Sequence, residues 1–328
     1  MPRLTQTPPV TLHLGAHRSA SSSLQRLLER NETHLGRCGT AIWTPRRTRA
    51  GLLTGVLGDP GRQEARRDAA AHRAAGRVAM LRHEMSGQGM SRLIVSDENG
   101  LGGLRENVLM ARLYPTVSGR LARLSLVLPG IDRVCLCIRS PDSWWSSAFA
   151  FLMTRGFAPP DRATLDAIVA ARRGWRDVIA DLAAALPDAR LTVWDYDGLG
   201  GHPETAYAHM TGHAARYADA GRVNASPGLA DLRARLRDEG CFETVAGEGD
   251  RFMPFAPAAR DRLRTRHAAD LAWLRAGADG LATYIEGARD DDAPRDDGKG
   301  RRHERQGHLR QDGRLGRAEG QMGAAGRG

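Results

Sequence analysis

The sequence predicts an α/β protein of three layers, in which helices cover both faces of a central, mostly parallel sheet of about five strands. Three observations lead to this prediction. Short apolar runs alternate with longer segments of helical periodicity, and the runs at 92–96 and 133–138 are apolar almost throughout, as is typical of strands buried on both faces. Hydrophobic residues make up 41% of the chain and aromatic residues 5%, which suits a globular protein with a large core.

The predicted elements alternate in the order expected for parallel strands joined by crossover helices. Strands are predicted at 10–14, 40–43, 92–96, 133–138 and 190–194. Helices are predicted at 21–35, 61–85, 104–126, 141–153, 163–186, 203–213, 227–239 and 257–276. We therefore expect the carboxyl ends of the strands to meet at one edge of the sheet.

The folded domain is predicted to span residues 1–288. Residues 289–328 carry almost no apolar side chains and many glycines and mixed charges. Such a segment cannot bury enough surface to offset the entropy of ordering, so we predict a disordered tail. Its acidic and basic residues nearly balance, which argues against an arm that binds nucleic acid.

The positive charge of the chain comes almost entirely from arginine. The formal net charge is +10, and Lys299 is the single lysine. A basic protein favours anionic partners such as nucleotides, sulfated sugars or nucleic acid, but the charge alone does not choose among them.

Cysteine usage and hydropathy indicate a reduced, cytoplasmic protein. Cys135 and Cys137 alternate in a predicted strand, so we expect both side chains on one buried face, and no cysteine has zinc-ligand spacing. No apolar run reaches the length of a membrane span, and residues 1–10 lack the apolar centre of a secretory signal. We expect no metal site and no membrane partner.

Residues 10–31 have the layout of a phosphate-binding loop: an apolar strand, a turn at Gly15 and an amphipathic helix. Amide groups converge at such a helix start, and the helix dipole adds partial positive charge. Arg18 supplies a cation that can hold two oxygens, and serine hydroxyls follow it. The alternative is a serine-capped helix without a ligand. The glycine and lysine of a nucleotide-triphosphatase loop fall on Ala20 and Ser21, so ATP or GTP hydrolysis is not expected.

A second junction of strand, loop and helix follows the run at 133–138. Arg139 stands at the end of the strand, and Ser140 with Pro141 opens a helix. Ser147 lies eight residues after Arg139, so their side chains are expected to meet over one ligand. The alternative is an arginine that ends the strand and a serine on a solvated face.

Both junctions resemble those of the sulfotransferase family, over roughly residues 10–240. The 5′-phosphosulfate loop of that family usually reads Lys-Thr/Ser-Gly-Thr-Thr, and the residues that match its positions in order are Arg18, Ser19, Ala20, Ser21 and Ser22. The 3′-phosphate site of the family uses an arginine and a serine eight residues later, which match Arg139 and Ser147. Arginine for lysine keeps the charge, whereas alanine for glycine is costly only if φ is positive.

The resemblance implies a P-loop NTPase-like fold and a bacterial enzyme that uses 3′-phosphoadenosine 5′-phosphosulfate as donor and needs no metal. The implied donor-binding residues are Arg18, Ser19, Ala20, Ser21, Ser22, Ser23, Arg139 and Ser147. The acceptor would be a hydroxyl or amine of a small molecule or carbohydrate, with peptide tyrosine and lipid still open. Nucleic acid is not an expected partner.

The run at 92–96 ends in Asp97 and Glu98 at the same predicted edge. Members of the family often carry a glutamate or histidine base near this strand end, so the resemblance makes Glu98 the first candidate base and His17 the second. In the implied mechanism the acceptor attacks sulfur in line, Glu98 accepts its proton, and Arg18 holds the departing phosphate. The alternatives are an acidic turn at 97–98 and a structural hydrogen-bonding role for His17.

Three other functions stay open: a nucleotide-binding protein of this fold without turnover, a small-molecule kinase, and a binder of anionic polymers. The arginines at 46, 47 and 49 either line the cleft or form a solvated basic loop, and the second reading is favoured. The segment 222–228 resembles one in bacterial relatives, in which Arg222 and Asn224 would reach the donor. Trp144 and Trp145 are expected in the core, and the alternative is that one of them stacks on adenine.

Overall fold

Parallel strands form the central sheet of the computed structural model, which describes residues 7–61, 64–218, 221, 223–238 and 245–287. In chain order the described strands are β1 (Val10–His13), β2 (Thr40–Trp43), β3 (Arg92–Ser96), β4 (Ile131–Ile138), β5 (Arg190–Asp195), β6 (Gly247–Glu248), β7 (Arg251–Phe252) and β8 (Thr283–Ile285). The order across the main sheet is β2-β3-β1-β4-β5-β8, and every neighbouring pair is parallel. β6 and β7 form a separate antiparallel pair.

The predicted α/β class and the parallel sheet are confirmed, but the described sheet has six strands rather than about five. The additional strand, β8, has only three residues and pairs with the middle of β5. A strand of this length carries too few residues to show a periodic pattern, so its position depends on the neighbouring strand.

Helices flank the sheet on both sides. The described α-helices are α1 (Ser21–Arg30), α2 (Glu32–Arg37), α3 (Pro45–Arg47), α4 (Ala65–Gly87), α5 (Leu104–Met110), α6 (Val117–Val127), α7 (Pro141–Met153), α8 (Arg162–Ala170), α9 (Trp175–Ala185), α10 (Tyr196–Leu199), α11 (Pro203–Thr211), α12 (Leu229–Asp238) and α13 (Pro257–Arg275). Thr48–Leu52 form a π-helical turn, and Glu98–Gly100 and Ala278–Gly280 form 3₁₀ turns.

Three of the predicted helices are each divided into two. The first is interrupted at Asn31, whose Oδ1 accepts hydrogen bonds from the backbone N–H groups of Arg216 and Tyr217 at 2.8 and 3.0 Å. The second ends where Ala111 adopts a left-handed conformation with φ of 48°. The third is interrupted before Gly174, which precedes α9 in an extended conformation. Helical periodicity continues across these positions, so sequence pattern alone does not reveal the breaks.

Two apolar layers lie on opposite faces of the sheet because successive side chains of a strand alternate in direction. Leu93 and Val95 of β3 belong to the larger layer, whereas Ile94 belongs to the smaller one. Cys135 and Cys137 of β4 are both buried in the smaller layer, as their alternation predicted.

The parallel arrangement brings the carboxyl ends of β1, β3 and β4 to one edge of the sheet. The chain leaves β1 into the first loop (residues 14–20), leaves β3 into Asp97 and Glu98, and leaves β4 into the second loop (residues 139–140). This edge therefore holds the candidate residues of all three predicted motifs.

The described residues belong to one compact unit, Met1–Asp290. The predicted tail, residues 289–328, lies outside the described residues. Within the described part of the chain, no helix combines the length and the apolar character needed to cross a membrane.

Candidate anion-binding site

The first loop and the second loop lie against each other. Nη1 of Arg139 donates a hydrogen bond to the carbonyl oxygen of Arg18 at 2.7 Å, and Nε of Arg18 donates to Oγ of Ser147 at 2.9 Å. Three residues that the sequence placed in two separate motifs therefore form one cluster.

Arg18 and Arg139 concentrate positive charge, which the charge of Asp197 offsets only in part and at Arg139. Among the described residues, no carboxylate lies within 4.0 Å of either guanidinium group. Burial, followed by the charge of Arg139, lowers the pKa of Arg18 to about 10, and burial likewise lowers the pKa of Arg139. Each guanidinium also lies over an aromatic ring, Phe151 at 4.9 Å for Arg18 and Tyr196 at 4.4 Å for Arg139. Partly buried cations without a paired carboxylate favour an anionic ligand.

The serines of the first loop and of α1 take different roles. Ser19 is buried and donates to the carbonyl oxygen of Ala16 at 2.6 Å, so its hydroxyl stabilises the turn itself. Ser22 accepts a hydrogen bond from Nδ2 of Asn224 at 2.9 Å, and Ser23 accepts one from the N–H of Val223 at 3.2 Å. Ser21 is buried and is the first residue of α1.

The residue before α1 is Ala20, and α1 has no side-chain cap. The capping serine of the alternative interpretation is thus absent; the N–H of Ser23 donates to the carbonyl oxygen of Ala20 at 3.0 Å, and the amides of Ser21 and Ser22 are the ones suited to an anion. Ala20 has φ of 62° and Arg18 has φ of 61°, both in the left-handed region. Because φ of Ala20 is positive, alanine in place of glycine is costly at this position.

Replacing Ala20 with glycine is expected to raise the free energy of unfolding by about 0.5–1 kcal/mol. A left-handed L-residue costs roughly 1–2 kcal/mol, and the greater freedom of glycine in the unfolded chain offsets part of the gain. Urea unfolding of Ala20→Gly and wild type measures the difference. Ala79→Gly, at an exposed position within α4, is the control and is expected to lose roughly 0.5–1 kcal/mol. A loss of stability in Ala20→Gly as well would contradict the strained geometry.

Three buried aromatic side chains hold the two loops in place through hydrogen bonds and ring packing. Nε1 of Trp144 donates to the carbonyl oxygen of His17 at 2.7 Å, and Nε1 of Trp175 donates to the carbonyl oxygen of Arg139 at 2.6 Å. Tyr114 packs against both indole rings, with ring centroids 5.6 and 6.0 Å away. All three are fully buried. Trp144 is therefore a core residue, as expected, but it also fixes the backbone of the first loop.

His17 is held by hydrogen bonds on both ring nitrogens. Nε2 lies 3.2 Å from Oδ1 of Asn99, which can only accept, so Nε2 carries the proton. Nδ1 lies 3.1 Å from Oη of Tyr114, which also accepts from the His17 backbone N–H at 3.0 Å, so the tyrosine hydroxyl donates to Nδ1. Burial lowers the pKa of His17, so the ring is neutral at neutral pH. Its only basic nitrogen is already engaged.

Glu98 is also fully engaged. Its Oε1 pairs with Nη2 of Arg49 at 2.8 Å, and its Oε2 accepts from Nε2 of Gln25 at 2.9 Å. Burial alone would raise the pKa of Glu98, but the charges of His17 and Arg49 and the two hydrogen bonds outweigh it and hold that pKa at about 2. Because His17 is neutral at neutral pH, Arg49 supplies the lasting part of this effect. A carboxylate with so low a pKa is a weak base.

Glu98 also touches the first loop directly. Gly15 has φ of 89°, and a Cβ placed on it would lie 2.8 Å from Cβ of Glu98. The close approach of the two motifs thus requires glycine at this position.

The basic segment at 43–52 is not simply a solvated loop. It folds into α3 and the π-helical turn, and Arg49 bridges Glu98 and Asp97, with Nη2 2.7 Å from Oδ1 of Asp97. Asp97 is buried and accepts further hydrogen bonds from the hydroxyl of Thr48 and the N–H of Asn99. The side chains of Arg46 and Arg49 are 83% and 38% exposed, as the prediction of a solvated segment implies, but Arg49 also pairs with two carboxylates.

Sequence reasoning missed the contact between Ser226 and the cluster. Oγ of Ser226 accepts from Nη2 of Arg18 at 3.0 Å and lies 2.8 Å from Oγ of Ser147. The only signal was the segment 222–228 itself, of which Arg222 lies outside the described residues. Among the described residues, no three histidine, cysteine, aspartate or glutamate side chains are grouped to hold a metal ion.

Comparisons with known proteins return no relative of this chain. No family model matches it, and no curated protein or solved structure matches it significantly. The function therefore has to be argued from the site.

Proposed function

We propose that this chain binds 3′-phosphoadenosine 5′-phosphosulfate and transfers its sulfuryl group to a hydroxyl or amine acceptor, in a fold of the P-loop NTPase type. The observation that supports this most is the cluster of Arg18, Arg139 and Ser147. Two arginines side by side, with no carboxylate within 4.0 Å among the described residues, suit a ligand with two anionic groups.

The two loops divide the work of holding such a donor. The first loop leads into α1 with uncapped amides, so it suits the 5′-phosphosulfate. Arg139, which follows β4 and donates through Nε to Oγ of Ser143 at 3.0 Å, and Ser147, in the middle of α7, suit the 3′-phosphate. ATP lacks a 3′-phosphate, so a donor phosphorylated at both ends of its ribose accounts for both loops.

In the proposed reaction an acceptor oxygen or nitrogen attacks sulfur, and the bond between sulfur and the bridging phosphate oxygen breaks. The electron pair of that bond leaves with the phosphate, whose charge Arg18 and the α1 amides stabilise. The acceptor's proton passes to Glu98, which first has to lose a hydrogen bond to Arg49 or Gln25. The side chain of Arg49 is 38% exposed, so water can replace Glu98 as its partner.

Thermal unfolding with adenosine 3′,5′-bisphosphate, ADP and AMP tests the donor. At a concentration of 100 times Kd, a ligand stabilises the fold by about 2.7 kcal/mol, which corresponds to a rise in Tm of roughly 5 °C or more. We expect this rise with the bisphosphate alone. An equal rise with ADP would contradict the proposal and favour a kinase. Transfer of labelled sulfuryl from the donor, compared between wild type and Glu98→Gln, then tests the base.

A second candidate is a nucleotide-binding protein of the same fold without turnover. The observation that favours it is that both oxygens of Glu98 and both ring nitrogens of His17 are occupied. The same measurements distinguish the candidates. Bisphosphate binding without transfer to any acceptor supports the second, whereas transfer that Glu98→Gln abolishes supports the first.

A further inference from the structure

Residues 223–228, which we call the strap, cross the anion-binding site. The Arg18 guanidinium donates through Nε to Oγ of Ser147 at 2.9 Å and through Nη2 to Oγ of Ser226 at 3.0 Å. The two hydroxyl oxygens are themselves 2.8 Å apart. A guanidinium group binds a phosphate oxygen in the same way, so Oγ of Ser226, which contacts both Arg18 and Ser147, occupies a position suited to one oxygen of an anionic ligand.

The strap also covers the start of α1. The N–H of Val223 donates to Oγ of Ser23 at 3.2 Å, and Nδ2 of Asn224 donates to Oγ of Ser22 at 2.9 Å. Ser22 and Ser23 belong to the first turn of the helix that follows the first loop. The strap therefore contacts both halves of the site.

Firm attachments lie on either side of the strap. The N–H of Leu229, a buried residue, donates to the carbonyl oxygen of Asp250 at 2.9 Å. On the other side, Asn31 accepts from the N–H of Tyr217 at 3.0 Å and donates to its carbonyl oxygen at 3.1 Å. The chain is thus anchored at Tyr217 before the strap and at Leu229 after it.

The strap itself is held weakly. Asn224, Ala225 and Ser226 are exposed, so they contribute no buried apolar surface. Hydrogen bonds at an exposed position are readily exchanged for bonds to water, and segments held only by such bonds open at low cost.

We propose that the strap is a self-inhibitory contact, in which Ser226 fills the position of a ligand phosphate oxygen at Arg18 and Ser147, so that the ligand has to displace it. The inference rests on the proposed function for the identity of that ligand. Only molecules with an open strap bind the ligand. The apparent Kd is therefore the intrinsic Kd divided by the fraction of molecules that are open.

Isothermal titration of Ser226→Ala with adenosine 3′,5′-bisphosphate tests this inference. In this variant Nη2 of Arg18 has lost the Ser226 hydroxyl as its acceptor and is open to the ligand. We therefore expect Kd to fall about 3- to 10-fold relative to wild type. Asn224→Ala, which loosens the strap without touching Arg18, is expected to lower Kd in the same direction. Ser125→Ala is the control, because Ser125 is half-buried, away from the strap, and its hydroxyl donates to the carbonyl oxygen of Ala122 within α6; the Kd of this variant is expected to stay unchanged.

A second titration with inorganic pyrophosphate separates this inference from the proposed donor. Tighter binding of both anions to Ser226→Ala, without preference for the nucleotide, supports the strap and contradicts the donor. Preference for the nucleotide with equal or weaker binding by Ser226→Ala overturns the strap and leaves the donor, since Ser226 would then help to hold the ligand. Failure of wild type and every variant to bind either anion overturns both the proposed strap and the proposed donor.

Discussion

Replacing Arg139 with alanine is expected to weaken binding of adenosine 3′,5′-bisphosphate about 100-fold. Charge-assisted hydrogen bonds to phosphate contribute roughly 1.5–3 kcal/mol, and 100-fold in Kd corresponds to about 2.7 kcal/mol. The substitution also leaves the Arg18 carbonyl without its donor at 2.7 Å, which loosens the first loop. Isothermal titration measures the loss, and circular dichroism verifies that the variant is folded.

Arg133→Ala is the matched control for this experiment. Arg133 lies on the same strand, β4, but donates to the carbonyl oxygen of His209 rather than to either loop. We expect the removal of Arg133 to change Kd less than about 2-fold. Salt screens the charge of a side chain that does not contact the ligand. Equal losses in the two variants would mean that Arg139 acts only through the general positive charge of the protein.

Replacing Trp144 with phenylalanine is expected to lower the free energy of unfolding by about 2–4 kcal/mol. The carbonyl oxygen of His17 loses its donor at 2.7 Å, which costs roughly 1–3 kcal/mol at a buried position, and the smaller ring leaves a cavity. Because the same bond shapes the first loop, bisphosphate affinity should fall as well. Urea unfolding and titration of the same variant measure both effects.

Trp43→Phe isolates the contribution of the hydrogen bond. Trp43 is equally buried, but its indole N–H has no hydrogen-bond partner among the described residues. The two substitutions remove the same ring atoms, so the difference in stability reports the bond to His17. We expect Trp43→Phe to be the milder change by at least about 1 kcal/mol and to leave bisphosphate affinity intact. Similar losses in stability and affinity would show that ring volume alone matters.

Local pattern was sufficient for most of the sheet. The predicted strands at 40–43 and 92–96 coincide with β2 and β3, since continuous apolar runs bounded by polar residues leave little freedom in their limits. β8 and the breaks at Asn31 and Gly174 were missed, because a three-residue strand and a helix interruption are decided by the elements that pack against them.

The candidate site shows the same division. Arg18, Arg139 and Ser147 could be selected from the sequence because strand ends, loops and helix starts are marked by local residue types. The sequence could not show that the side chains of Glu98 and His17 are already hydrogen-bonded. The partners of Glu98 are Arg49 and Gln25, and those of His17 are Tyr114 and Asn99. Each partner is remote in the chain from the residue that it contacts, and the sequence does not specify the direction of its side chain.

The sequence by itself therefore determined most of the elements, their alternation and the positions of two loops at strand ends, because burial patterns and helix starts are encoded within a few residues. Only the tertiary structure decided that Arg18 meets Ser147 across 129 positions and Ser226 across 208. It also decided that Arg49 pairs with both Asp97 and Glu98. Such contacts depend on how distant elements pack, and the energy of each is small beside that of the core that brings them together.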